Sequence, residues 1–204
     1  VSAPAVTPTK SHLLELRRQL AFALEGFELL DQKRQTLALE LVRRAELLRQ
    51  AEEDVARRLA PAEAALREAT LDAGTAALDR AALGATPAHE VVLSAQRFMG
   101  LPLPLVRVEL RPLRPAFGPT GTSPAADLAR RGFAEILPAL GALAERQTAV
   151  LRLSRELRRA QRRCNALTRI VIPQCRRAIH DIAGTLEERE REFFVSRRFA
   201  GRTR

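Results

Sequence analysis

Apolar residues recur every seven positions along the first third of the chain. Leu13, Leu20, Phe27, Leu41, Leu48, Val55, Ala62 and Ala69 form the row, with Arg34 its one polar member. A second row, offset by three, holds Leu16, Ala23, Leu30, Leu37, Ala51 and Ala65 and is broken by Arg44 and Arg58. Two apolar rows alternating at three and four residues are the seam of a left-handed coiled coil. Such a helix cannot bury its seam alone, so the pattern demands a partner helix. A third row supplies it: Ile136, Leu143, Val150, Leu157, Cys164, Val171 and Ala178 again repeat every seven.

The two patterned stretches are separated by a proline-rich segment without helical period. There HEVVLSAQRF and LVRVEL have the alternation and β-rich content of two short strands, with GLPLP turning between them and PAFGPTGTSP as loop. The expected fold class is mainly α: a long two-helix antiparallel left-handed coiled coil with a small β-hairpin and loop segment between the helices. The segments expected are 1–84, 85–122 and 123–204, together one elongated unit with both termini at one end and the hairpin at or near the other. Thr7-Pro8 and Ser123-Pro124 are cap-like pairs with proline at the first helical position. Gly84 and Pro87 are the expected stop of the first helix. Pro61 predicts a kink or break near Leu59–Pro61 with a restart favoured by Glu63, and Pro173 is either a kink that curves the helix or a tolerated defect. Pro138 and Gly141 weaken the start of the second helix. Gly26 has two readings, a close helix approach or a tolerated glycine.

Charge is uneven. Residues 9–84 carry 12 basic and 13 acidic side chains, whereas residues 123–204 carry 18 Arg against 9 acids, most of the net +10. Of the 34 basic residues only Lys10 and Lys33 are Lys, which reads first as genome composition. Between Arg152 and Arg177 nine arginines face Glu156 alone. That run is a solvated helix face, a surface for an acidic protein, or a nucleic-acid stripe. No zinc motif, aromatic interleaving or reading module accompanies it, which weakens the nucleic-acid reading.

Several classes drop out. The longest stretch without charge, Pro115–Ala126, is rich in Pro and Gly and shorter than the ~20 apolar residues of a spanning helix. VSAPAVTPTK has no apolar signal core, so a soluble intracellular protein is expected. Cys164 and Cys175 would lie ~16 Å apart along a helix, beyond disulfide reach, and are expected as reduced seam or near-seam residues. No GxxxxGK[ST] loop is present, and GPTGT at 118–122 lacks the lysine. His12, His89 and His180 form no metal pair. Glu187, Glu188, Glu190 and Glu192, alternating with Arg189 and Arg191, are an ordinary charged helix surface. No catalytic, cofactor-binding or metal-binding residue is expected.

The ends of the chain resemble the D subunit of the V-type rotary ATPases. The stretch PTKSHLLELRRQLAFALEGFELLDQKRQTL is similar to that family's N-terminal helix through Pro8, Thr9, Lys10, Leu13, Leu14, Gly26, Leu29, Leu30, Lys33 and Arg34. RRCNALTRIVIP resembles a second family stretch through Arg162, Arg163, Asn165, Ala166, Leu167, Ile172 and Pro173, and EEREREFF matches as well. The resemblance implies a non-catalytic central shaft without cofactor. Its paired termini would enter a hexamer of catalytic and non-catalytic nucleotide-binding subunits. Its other end would dock, with the F subunit, on a funnel-shaped subunit above the membrane ring, so the Pro-rich middle should lie near both. ATP synthesis or hydrolysis would thereby be coupled to proton or sodium-ion transport. The place implied is the cytoplasmic face of the membrane, peripheral, with no direct membrane insertion and no nucleic acid. The arginine excess motivates Arg155, Arg158, Arg159, Arg162, Arg163, Arg197 and Arg198 as bearing contacts with acidic groups of the hexamer. The competing readings are a basic coiled-coil nucleic-acid-binding protein and a scaffold.

Overall fold

In a computed structural model, residues 8–83, 89–113 and 123–200 are described, the side chains of residues 199 and 200 excepted. The expected cap Thr7, the stop signals Gly84 and Pro87, and the loop 115–122 lie outside the described residues.

Helix α1 (Lys10–Ala73) starts on Thr9, whose Oγ1 accepts from the His12 N–H at 3.2 Å, an N-cap on one of the orphan donors of the first turn. Both apolar rows of α1 avoid full exposure throughout, except at Arg58. Pro61 does not break α1, and no restart occurs at Glu63. The helix stops instead at Gly74, which takes φ +79° and donates its N–H to Thr70 O at 3.0 Å. Only glycine adopts that left-handed cap without cost. A short α2 (Thr75–Leu83) follows.

Strands β1 (Glu90–Phe98) and β2 (Leu101–Glu109) form an antiparallel hairpin with Phe98 opposite Leu101 and Glu90 opposite Glu109. The turn is Met99–Gly100, both at positive φ, the geometry whose twist matches the strands. GLPLP is therefore not the turn: Pro102 and Pro104 sit inside β2. They are tolerated because alternate residues of β2 point their backbone groups away from β1, where a missing N–H costs nothing. Val106, on the same alternation, donates its N–H outward to Glu145 Oε2 at 2.8 Å.

Helix α3 (Pro124–Ala166) begins after Ser123, with Asp127 in its first turn, and runs through Pro138 uninterrupted. The Ser123 hydroxyl is buried with no hydrogen-bond partner, so it makes no cap; only Ser123 O accepts, from Ala126 N–H. A five-residue π-helical turn, α4 (Leu167–Val171), joins α3 to α5 (Ile172–Ala200).

Two compact units result. The first comprises Val1–Leu37 and Leu157–Arg204. Arg34 Nη1 donates to Gln161 Oε1 at 3.5 Å, and Lys10 pairs with Glu190 at 2.7 Å, so its helices run antiparallel and the start of α1 lies beside the end of α5. Leu16, Ala23, Leu37, Ala160, Cys164, Ile172 and Ile182 are its buried core residues, contributed from both sides of the pair. The second unit is Ala38–Glu156. There α1 and α3 also run antiparallel, with Arg146 Nη1 donating to Leu47 O at one level and Gly132 against Ala62 at another. Ala69, Ala125 and Ala126 close the far end, with Leu78 of α2 against them.

The hairpin is not at that end. It lies back along the helices: Arg152 Nη1 donates to Pro102 O at 2.6 Å, and Arg44 sits 5.9 Å from the Phe98 ring centroid. A Cβ on Gly141 would come within 2.8 Å of Val108 Cγ2. Gly141 is thus where the hairpin seats on α3.

The third apolar row does not continue as expected. After Cys164 (3% exposed) the seam residue is Ile172 (7%), eight positions on, while Val171 is 37% exposed. The π turn absorbs the extra residue: the Ile172 N–H bonds to Leu167 O, five residues back. The unshifted register would bury Gln174 and Asp181. The shifted one places Cys175, Ile179, Ile182 and Leu186 inward, and all four are buried or half-buried.

Candidate functional site

Among the described residues no group of His, Cys, Asp and Glu could hold a metal ion, and no helix is long and apolar enough to cross a membrane. Cys164 is buried, Cys175 half-buried, and both are free thiols. The surface rather than a pocket carries the distinctive chemistry.

Arg155, in the second unit, and Arg158, Arg159, Arg162, Arg163, Arg197 and Arg198, in the first, are all exposed. On α3 the buried residues Leu153, Ala160 and Cys164 mark the seam. At 3.6 residues per turn, Arg155, Arg158, Arg159, Arg162 and Arg163 fall outside that stripe, toward solvent. The local cause is the heptad itself, which concentrates apolar side chains on one stripe and leaves the rest of the helix surface to charge. The motif residues divide similarly. Ile172 packs in the seam, Pro173 follows the π turn, and Asn165 Oδ1 accepts from Gln161 on the outer side. Lys10 holds the start of α1 to Glu190, which raises the Lys10 pKa by hydrogen bond and charge. Arg34 is held by Asp31 at 2.7 Å.

A groove of about 560 Å³ in the second unit is lined by Arg57, Arg58, Arg131, Glu135, Pro61 and Gly132, among others. Sequence reasoning passed over it. Its signal was present in two places: a proline inside an unbroken helix, and a glycine facing Ala62 across the pair.

Known proteins bear on the whole chain rather than on one corner of it. A family model for the ATP synthase D subunit matches residues 12–201. The D subunit of an A-type ATP synthase from Methanosphaera stadtmanae is 32% identical over 193 residues, 93% of this chain and 90% of that protein. Its counterpart from Pyrococcus furiosus is 32% identical over 192 residues with the same coverage. The D subunit of a V-type ATP synthase from Thermotoga neapolitana is 30% identical over 188 residues, 92% of this chain and 93% of that one.

Proposed function

The chain belongs to the family of ATP synthase D subunits, and from that membership we propose that it is the central rotor shaft of a rotary ATPase, a non-catalytic subunit. In this reading it turns inside a hexamer of nucleotide-binding subunits and couples their ATP synthesis or hydrolysis to proton or sodium-ion transport. The F subunit and a funnel-shaped subunit above the membrane ring hold its other end. The machine sits peripherally on the cytoplasmic face.

The observation that carries the reading is the antiparallel pairing of long helices within each unit, with Lys10 at the start of α1 held to Glu190 of α5. An axle needs torsional stiffness and no chemistry. A helix paired along its seam supplies the first, since twisting it must displace packed side chains. Uneven charge supplies the asymmetry by which three catalytic sites can sense one shaft differently. Arg155, Arg158, Arg159, Arg162, Arg163, Arg197 and Arg198 are the proposed bearing contacts.

Co-expression with the cognate nucleotide-binding subunits and the F subunit, followed by native mass spectrometry, tests the proposal. One copy per hexamer, with the F subunit alongside, is expected. Failure to join the hexamer, with DNA retardation that falls steeply with log salt, would replace the shaft by a nucleic-acid-binding protein.

A further inference from the structure

The one-residue skip at the π turn has an outward counterpart. In the first unit, Arg162, Arg169, Arg177, Arg191 and Arg198 each stand five residues after an inward or apolar position: Leu157, Cys164, Ile172, Leu186 and Phe193. The spacings are seven, eight, fourteen and seven. The single eight falls where the seam also steps by eight, from Cys164 to Ile172. The one gap in the row is Gly184, five after Ile179, where an added Cβ would meet nothing within 4 Å. All five arginines are exposed. Without the skip the row would pass from Arg169 to Arg176, then to Ala183, Glu190 and Arg197, and the carboxylate of Glu190 would interrupt it. The π turn therefore keeps a row of guanidiniums in line with the face opposite the seam.

Their charge is hardly answered among the described residues. Among the described residues Arg162, Arg169 and Arg198 make no ion pair. Arg191 reaches Glu187 only at 3.6 Å between exposed side chains, and Arg177 donates to Pro173 O. Exposed pairs of that kind hold little energy against solvent and salt. We propose that these five arginines form one docking row for carboxylates of a surrounding protein. The proposal rests on the rotor-shaft reading and names the surface by which the shaft is held.

Chemistry favours a protein over nucleic acid. Charges seven residues apart recur every ~10.5 Å along a helix, far sparser than the charge of duplex DNA at one per ~1.7 Å of axis. Guanidinium forks match carboxylates in bidentate geometry, and no Trp or Tyr is present to stack on bases.

Two full-length variants with equal charge change decide it. One carries Gln at Arg162, Arg169, Arg177, Arg191 and Arg198; the other carries Gln at Arg17, Arg18, Arg57, Arg80 and Arg176, exposed residues outside both the row and the proposed bearing contacts. Circular dichroism first establishes equal helicity. The row variant should bind the nucleotide-binding hexamer at least roughly tenfold more weakly at ~0.1 M salt and lose most of the salt dependence, whereas the off-row variant stays within about threefold. Equal loss in both variants would reduce the row to bulk charge, and no loss in either would remove it altogether. If the unaltered chain does not join the hexamer, the shaft reading fails by itself. The row is then judged on immobilised poly-L-glutamate, where selective loss of retention sustains it. Selective loss on duplex DNA alone overturns the protein partner.

Discussion

Gly26 and Gly132 look alike in the sequence, each an isolated glycine in a long helical pattern, yet their surroundings are opposite. A Cβ on Gly26 would meet nothing within 4 Å, so no close helix approach within the chain explains it. A Cβ on Gly132 would lie 2.9 Å from Ala62 Cβ and 3.3 Å from its Cα, which is backbone and cannot step aside. Gly26→Ala should therefore raise stability by about 0.5–1 kcal/mol, the helix-propensity gain. Gly132→Ala should lower it by ~1–3 kcal/mol through overpacking. Urea unfolding of the two variants measures both, and shifts of the same sign would contradict the contrast. Glu46 offers a second local test. Hydrogen bonds from Arg49 and Gln50 hold its carboxyl down to about 2 from an ordinary 4.5. A depressed carboxylate stabilises the folded state fully above its unfolded value, and that contribution is lost as pH falls from 4.5 toward 2. Carboxyl-carbon NMR should show the low midpoint in the native chain and its return toward 4.5 in Arg49→Gln.

At the scale of elements, the α1 seam was legible because both rows keep strict heptad spacing and nothing in α1 alters the count. The C-terminal row was legible only as far as Cys164. Beyond it Val171 and Ala178 satisfy a seven-residue search as apolar residues, and only the polarity of Gln174 and Asp181 hints that the register has moved. Pro173 drew attention to the right place for a different reason. Its ring and missing N–H disfavour an ordinary turn just before it, while the seam requires one extra residue there. The two causes separate experimentally. Deleting Ile170, which is exposed, should restore a continuous α-helix with the seam in register. The thermal midpoint should stay unchanged or rise by up to ~3 °C. Deleting Arg43 from α1, where no skip exists, should lower it by roughly 10 °C by displacing half a seam. Equal losses in the two deletions would mean that the π turn does not set register. The hairpin was legible as strands, but its turn and seat were not. A proline pair reads as a turn in one dimension, and only the sheet shows that both missing N–H groups face outward. Likewise Gly141 reads as a helix weakener until Val106 and Val108 lie against it.

For the whole molecule, heptad spacing carries the helical class, and the expectation of no catalytic residue rests on the missing phosphate-loop and metal-pair motifs. The arginines proposed as bearing contacts are legible by count, because a helix's outer face needs no long-range contact to be identified. The groove between Arg57 and Arg131 was hidden, since it depends on which residues of two distant segments meet. The small residues between the helices of the second unit have a mechanical meaning. Where α1 meets α3 the contact is Ala62 on Gly132, and farther along it is Ala69 with Ala125 and Ala126. Alanine and glycine have no side-chain torsions to rotate. Sliding one helix past the other there meets main chain at once, with no long side chains in between to bend and take up slack. This joint works like a spline with almost no backlash: load entering one helix is passed to the other before any rotamer has room to yield.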